Sequence, residues 1–563
     1  MPGCQRHSCI QWPCLNHGPP RSFVGGRRLN RRLFSVSVVN ARIQWTSPNQ
    51  RPSVRSPSNN QPGSRIIQEP VQTLPSSLSE HEECGHMSRS LNITPGWLEK
   101  LLISRKSGLF EGYFPFFIFA TVLLTGNFSL NILSLANSVW FERHDKASEA
   151  LVVARLVEDR DHVAGSYYSM LGIYSNSTTL DGRTKYALPF RLYAGELPVT
   201  TNYNYLAYNR QYGGQAALLG FVDRGIDTLL GQAVGAGILR GGLLENIRES
   251  KISLLHLFVG FINAIIVAWF LLWFASEFGL GVGWWLLGVT LLSPCLTVFG
   301  RNLYWFMGFW FLPAVLSAWL FRLFDGRLAS RSIIPLSSLA IGVFVANLLT
   351  IGAKSLMGYE FLSTVTVAQL TVVVYYATKW GWGGVTQLLW LGWSGVAAII
   401  GFLGAYSMHF SRLSPILGDT TDARVKFLRE LFLYRAMGKG PSPSGLDSRN
   451  LFIIIGRYLL LVFNLFPPYI LLIVPILVVA FHVLRRNPAN AALKPLAVST
   501  LFSFLAPLSW FVIARNHAAE SPHLNYVLWH LPPIFFGMAL IGAWFLQKYR
   551  FELKLTPKTG SGN

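Results

Sequence analysis

The chain has 563 residues, of which 51% are hydrophobic and only 13% are charged, against the ~25% charge of a typical soluble domain. Charge is scarce after Leu254, where long apolar stretches rich in Trp and Phe follow one another. The net charge of +21 lies mainly in the two tails and the short loops. Cations that flank apolar segments are topology signals and contacts with membrane lipids. No nucleic-acid-binding motif accompanies them, so we expect no nucleic-acid partner.

Residues 1–95 form a basic tail or leader, rich in Pro, Ser, Asn and Arg and without helical periodicity. This composition predicts disorder. An acid-poor leader of this kind is also typical of organellar transit peptides, and translation from Met87 would fit the sequence equally well. Four of the five cysteines lie in the tail and the fifth, Cys295, lies in an apolar segment, so the remaining hydrophilic part of the chain is expected to fold without disulfides.

The membrane part follows from hydropathy. Residues 96–135 hold a cytoplasmic lead-in and a first apolar segment from 113 to 135, and residues 136–253 are hydrophilic. Nine further apolar segments occupy the region 254–546, at 254–274, 282–299, 303–321, 334–351, 361–378, 385–406, 451–483, 496–514 and 526–546. The pattern predicts an all-α membrane protein of roughly ten transmembrane helices, with a large, mainly helical extracytoplasmic loop domain after the first helix and a basic cytoplasmic tail at 547–563.

The distribution of Lys and Arg between short loops predicts which side each loop occupies. With the N-terminus in the cytoplasm, the inside loops hold most cations, among them Arg322, Lys379, Arg485 and Lys494. Residues 409–450 fall outside yet are basic. We interpret part of this loop as an interfacial helix, because four residues form an apolar stripe opposite the cations: Val425, Leu428, Leu431 and Phe432.

The large loop opens with a predicted amphipathic helix from Phe141 to His162, expected to lie near the membrane surface. Its apolar face comprises Ala147, Ala150, Leu151, Ala154 and Val157. Glu142 and Asp145 stand near its start, just beyond the first membrane segment. They either cap the helix and offset its dipole or supply a catalytic carboxylate at the mouth of a cavity.

Two further segments are candidates for a binding site. The QYGG segment, residues 211–214, follows several tyrosines, and Tyr212 is a candidate for stacking on a sugar or for simple packing. The last outer loop places Arg515, His517, His523 and Asn525 between aromatic residues, as in an anion site or in an aromatic belt with snorkelling charge.

Other ionisable residues are predicted near the same membrane face: Arg301, Lys354, Glu360, His409 and Arg457. Arg457 falls within an apolar run, where an unpaired charge costs several kcal/mol. Clustering of such residues toward one face indicates a polar cavity that opens outward.

The segments beginning FERHD, QYGG and SWFVIARNH resemble membrane glycosyltransferases of the GT-C class, as does the layout of residues 100–550. The chain departs from the usual acidic doublet after the first helix, since Glu142 and Asp145 stand three positions apart. The resemblance implies a bacterial plasma-membrane enzyme that uses a polyprenyl-phosphate-linked sugar and a lipid or glycan acceptor, without metal or cofactor. Asp145 or Glu142 would be the general base, and cations would bind the donor phosphate: Arg457, Arg515, His517 and His523.

The same resemblance places Lys354, Glu360, Asn525 and Tyr212 in the pocket. Two alternatives remain open at this stage. A transporter or lipid flippase explains many spans and a polar cavity but leaves a folded loop of this length without a role. An O-antigen-type polymerase or ligase also uses a lipid-linked sugar at the outer face.

Overall fold

The computed structural model describes residues 109–161, 171–176, 182–199, 203–236, 250–324, 338–413, 420–437, 450–460, 470–485, 488–520 and 524–555. The predicted tail, residues 1–95, lies outside these ranges. Where the structure describes the ten predicted apolar segments, their residues are mainly helical. Six helical stretches are long and apolar enough to cross a membrane: 113–130, 251–278, 338–357, 384–412, 491–513 and 527–548. The chain is therefore a multi-pass helical membrane protein, and the number ten remains a prediction.

Between the first and second of these stretches lies an inserted domain, residues 138–236. It follows helix α1 (Leu109–Leu130) and contains α2 (Ser138–Asp161), α3 (Gly182–Tyr193) and α4 (Gly214–Gly235). Strands β1 (Gly172–Asn176) and β2 (Tyr203–Ala207) form an antiparallel pair, with Tyr174 opposite Tyr205. The described residues of this region are thus mainly helical and include a small sheet that the sequence did not predict.

Helix α2 matches the predicted helix to within three residues at its start and one at its end, but it is not amphipathic. Between Glu149 and Glu158 nearly every side chain is buried, so α2 is the core of the inserted domain, and its position near the membrane surface stays a prediction. Its buried acids are satisfied locally: Tyr174 donates its hydroxyl to Glu158 at 2.9 Å. Burial, reinforced by the Glu158 carboxylate, raises the pKa of Tyr174 well above its usual range.

The bundle continues with α5 (Lys251–Phe278), which is mainly apolar between His256 and Glu277. The next predicted span is broken: α6 (Leu280–Leu291) and α7 (Pro294–Gly300) meet at a 76° bend. Ser293 stabilises this bend, since its hydroxyl accepts from the Leu296 N–H and contacts His530 Nε2 at 2.8 Å. Residues 301–307 then turn the chain into α8 (Gly308–Leu323), which starts later than hydropathy predicted.

The remaining helices complete the bundle and differ from prediction at one span. They are α9 (Ser338–Met357), α10 (Leu362–Lys379), α11 (Gly384–Arg412), α12 (Thr421–Met437), α13 (Leu451–Leu460), α14 (Ile470–Arg485), α15 (Lys494–Ser503), α16 (Leu505–Ile513), α17 (Arg515–Glu520) and α18 (Phe535–Leu555). The overlong segment 451–483 is represented by α13 and α14, with residues 461–469 outside the described ranges. Residues 527–534 lead into α18 through a π-helical turn.

Helix α12 lies in the basic segment 409–450, at the position of the predicted amphipathic helix. Leu428 and Leu431 are buried in a small cluster with Leu413, and Phe432 lies 5.8 Å from the Tyr359 ring. Val425 is exposed, so three of the four predicted stripe residues pack onto the bundle.

The bundle has two distinguishable ends. At the end covered by the inserted domain, called the domain end, His256 of α5 contacts Glu149 of α2 at 3.0 Å. At the other, the distal end, Glu277 of α5 contacts Arg322 at 2.6 Å. The helix between His256 and Glu277 is about 30 Å long at 1.5 Å per residue, close to the ~30 Å thickness of a bilayer's hydrocarbon core.

Candidate functional site

The QYGG segment packs against the turn between α9 and α10, residues 354–361, at the domain end. A Cβ at Gly214 would lie 3.2 Å from the Leu356 carbonyl oxygen, so a glycine permits this close approach of two backbones. Gly358 is equally confined: its Cβ position lies 2.6 Å from Gln211 Oε1 and 2.6 Å from Glu360 Oε2. The two oxygens are therefore neighbours, and a segment of the inserted domain joins a turn of the bundle.

Two charged residues are buried at this junction. Lys354 is 3% exposed and Glu360 is 4% exposed. The Lys354 ammonium donates to the Gly358 carbonyl at 2.6 Å. Removing a charge from water costs several kcal/mol per ion even after relaxation unless partners compensate it. Residues of this kind were predicted to line a pocket, and the structure places both in one turn beside Gln211.

Two buried amides stand at either end of the QYGG segment, and one of them, Gln211, adjoins Glu360. Gln211 and Gln215 are both buried, and within the part of the chain that the structure describes neither amide nitrogen nor amide oxygen has a hydrogen-bond partner. A buried group left in this state costs about 1–3 kcal/mol; one further buried glutamine, Gln369 of α10, has both amide atoms in the same state. A primary amide both donates and accepts, which matches the chemistry of a hydroxyl-bearing ligand.

A histidine and a tyrosine close one side of the junction. The Tyr359 hydroxyl lies 2.9 Å from His409 Nδ1, and His409 Nε2 lies 3.2 Å from the Asn209 carbonyl. Because a carbonyl only accepts, Nε2 donates to it; in a neutral ring Nδ1 then accepts from Tyr359. This chain of hydrogen bonds fixes the position of Asn209, two residues before Gln211.

Phe361 connects the turn to the last outer loop. Its backbone is left-handed, with φ 62° and ψ 14°, a conformation that costs a non-glycine residue about 1–3 kcal/mol when enforced by its surroundings. Its ring lies 5.5 Å from Trp305 and 5.1 Å from Trp510. Trp510 in turn donates to Asn525 Oδ1 at 2.9 Å and lies 5.8 Å from the His517 ring.

The structure thus brings some predicted site residues together and separates others. Asn525 is buried and His517 half-buried, both beside Trp510, while Arg515 is exposed at the start of α17. Tyr212 is half-buried next to Gln211. The remaining predicted residues are not described: His523 lies outside the described ranges, and so do the side chains of Glu142, Asp145 and Arg457, although their backbones belong to α2 and α13.

Helix α2 contacts the bundle through a face that was not recognised from sequence. The Arg301 guanidinium lies 3.9 Å from the Phe141 ring centroid, and Glu149 accepts from the Leu303 N–H at 2.6 Å. Position 145 falls between them on the same helical face, because residues four apart share a face. The sequence signal for this face of α2 was that Phe141, Asp145 and Glu149 are four residues apart.

The inserted domain is also fixed to the start of α5. Lys251 Nζ lies 2.8 Å from Asp223 and 2.8 Å from Asp227, both of α4. Tyr193 donates its hydroxyl to Asp223, and burial together with that carboxylate raises the pKa of Tyr193 well above its usual range. These contacts are fully paired and hold the domain in place.

Tyr205 packs on Tyr174 with ring centroids 5.4 Å apart, so this tyrosine belongs to the core of the inserted domain. Among the described residues no group of three or more His, Cys, Asp or Glu side chains is suited to a metal ion.

The chain matches no protein-family model, no curated protein and no solved structure. The geometry defines a multi-pass membrane protein whose inserted domain covers a cluster of buried polar groups at one end of the bundle.

Proposed function

We propose that the protein is a membrane glycosyltransferase that moves a sugar from a polyprenyl-phosphate donor to an acceptor at the domain end of the bundle. The observation that carries this proposal is the pair of unpartnered amides, Gln211 and Gln215, in a segment that meets the turn holding buried Lys354 and Glu360. Amides suit sugar hydroxyls, a lysine suits a phosphate, and a carboxylate suits a transferred proton.

These groups can accept the proton and stabilise the leaving group in a balanced transfer reaction. A carboxylate takes the proton of the acceptor hydroxyl, the acceptor oxygen bonds to the anomeric carbon, and the bond from that carbon to the phosphate oxygen breaks. The polyprenyl phosphate leaves as an anion that Lys354 stabilises. Glu360 is the carboxylate beside Gln211, and Asp145 remains the alternative base predicted from sequence. His517 and Asn525 would contact the donor beside Trp510.

The position of the cluster favours a transferase over a transporter. Transporter sites typically lie near the bilayer midplane between broken helices, whereas these groups lie where α9 ends and α10 begins, beneath the inserted domain. A lipid-linked sugar presents its phosphate at such an end. A polymerase or ligase would use the same end, and the identity of the acceptor distinguishes it.

The test is sugar transfer by the purified protein in liposomes. The donors are polyprenyl-phosphate glucose, galactose, mannose and arabinose carrying radiolabel in the sugar, and the acceptors are lipid and glycan fractions of the source membranes. Glu360→Gln should lower transfer about a hundredfold, equivalent to ~3 kcal/mol of transition-state stabilisation. Lys354→Ala should mainly raise the KM for the donor.

Exposed residues of α12 supply matched controls, Glu430→Gln and Lys426→Ala, and both should transfer like the wild type. Asp145→Asn is compared in parallel. Full activity in both Glu360→Gln and Asp145→Asn would refute the proposed chemistry, and movement of intact donor across the liposome membrane without bond cleavage would establish a flippase instead.

A further inference from the structure

Helix α4 carries an exposed apolar stripe. Phe221 is 71% exposed and Leu229 is 67% exposed, the only large hydrophobic side chains this accessible among the described residues from 140 to 236. Ala217 and Gly225 are exposed as well, and a Cβ at Gly225 would meet open space. Spaced four residues apart, these positions form one slowly winding stripe along the helix.

The opposite face of α4 is occupied by protein. A Cβ at Gly220 would lie 3.3 Å from Asp159 Oδ2 and 3.7 Å from Leu156 of α2. Asp223, on the same side, is buried in its contact with Lys251. The helix therefore has one face packed on the inserted domain and one uncovered face on which Phe221 and Leu229 alternate with exposed Arg224, Thr228 and Gln232.

The depth of α4 relative to the membrane follows from its two attachments to the bundle. Its first residue, Gly214, touches Leu356 near the end of α9, and Asp223 and Asp227 bind Lys251 at the start of α5. Both attachment points are helix ends at the domain end of the bundle. A helix held at two points of similar depth, about 20 Å apart along its axis at 1.5 Å per residue, runs roughly parallel to the membrane plane.

We propose that α4 is an interfacial helix whose stripe, Ala217, Phe221, Gly225 and Leu229, inserts into the bilayer at the boundary between headgroups and acyl chains. The helices to which α4 is attached also expose apolar side chains toward their surroundings, such as Leu349 of α9, seven residues before Leu356, and Leu257 of α5, six residues after Lys251. Apolar faces of amphipathic helices bury to this depth in membranes. The partner is the lipid bilayer.

This arrangement bears on the candidate site, and that consequence rests on the proposed function. The QYGG segment leads directly into α4, so an inserted α4 keeps Gln211 and Gln215 at the depth of lipid phosphates. A donor anchored by its polyprenyl chain then reaches these amides without leaving the membrane.

The test is the immersion depth of nitroxide labels on the full chain reconstituted in phosphatidylcholine–phosphatidylglycerol liposomes. The five native cysteines are replaced by alanine, and single cysteines are placed at Phe221 and Leu229. Asn204, exposed on β2, is the water-facing control, and Leu257, exposed within α5, is the lipid-facing control. Power saturation with oxygen and with a water-soluble nickel chelate measures depth without any activity assay, so failure here is distinguishable from failure of the proposed function.

Labels at Phe221 and Leu229 should report immersion of about 5–10 Å, shallower than Leu257, with Asn204 in water. Chelate accessibility at Phe221 equal to that at Asn204 would place the stripe in water and overturn the proposal. Protection from both oxygen and chelate would place it against a second copy of the chain, which overturns it equally.

Discussion

The two ends of the bundle each bury a carboxylate, and they differ in how the surrounding polar groups are paired. At the distal end Glu277 accepts from Arg322 at 2.6 Å, from Lys379, and from the hydroxyls of Tyr375 and Tyr376 at 2.9 and 3.1 Å. A carboxylate offers about four acceptor sites, so this one is saturated by protein.

At the domain end, Glu360 stands beside Gln211, and neither the amide of Gln211 nor that of Gln215 has a hydrogen-bond partner among the described residues. A buried charge alone therefore does not identify a functional site in this protein. The distal cluster joins the ends of α5, α8 and α10 and is accounted for by structure. The domain-end cluster retains hydrogen-bonding capacity that a ligand would use, which is why the proposed function is assigned to that end.

The largest effect is expected in a test of membrane topology, which asks whether the two ends of the bundle lie on opposite sides of the membrane. If they occupy opposite faces of the membrane, a cysteine at Glu196, exposed in the inserted domain, and one at Lys494, exposed at the start of α15, should behave in an all-or-none manner. In intact cells expressing a variant without native cysteines, an impermeant maleimide should label only position 196. Labelling of both positions, or only of position 494, would contradict the predicted topology.

Breaking the distal cluster should reduce stability rather than chemistry. Glu277→Gln leaves two cations without their shared counter-charge, and loss of one partner of a buried pair costs about 3 kcal/mol or more; partial exposure of Lys379 places the expected loss at the lower end of that range. The measurement is the denaturation midpoint of the purified protein in detergent, with Glu430→Gln as the exposed control.

Glycosyl transfer by folded Glu277→Gln protein should remain near the wild-type rate. A stable Glu277→Gln protein without transfer activity would show that the distal end takes part in function, and the contrast between the two ends would fail.

The smallest expected effect is a gain in stability at the domain end. Gln215→Met keeps the length of the side chain and removes an amide that has no partner, so the free energy of unfolding should rise by about 1 kcal/mol, while sugar transfer should fall. Gln232, exposed on the same helix, is the control, and its change to Met should stay within ~0.5 kcal/mol.

A loss of stability in Gln215→Met would mean that the amide is paired inside the folded protein. The amide would then be a structural group, and the main support for a ligand at this junction would be removed.

The helical membrane class, the large hydrophilic insertion and the amphipathic helix α12 were accessible from sequence, since each depends on a local pattern of apolar residues. The bend at Ser293 was not, because hydropathy averages over a span and does not register a 76° change of direction. The prediction that α2 is amphipathic was wrong, because segments distant in the chain cover the face that periodicity alone treats as exposed. The strand pair of the inserted domain was not predicted, because its two strands pair across 26 intervening residues.

The residues of the candidate site likewise fall into those that the sequence indicated and those that only the structure revealed. The sequence indicated four candidates for a pocket, because polar residues beside apolar segments are conspicuous: Lys354, Glu360, Tyr212 and Asn525. Only the tertiary structure showed that the amides of Gln211 and Gln215 have no partner among the described residues. It also showed that the Glu277 carboxylate is fully hydrogen-bonded by protein groups. Burial and hydrogen-bond pairing depend on which segments meet, and Gln211 meets Gly358 across more than a hundred intervening residues.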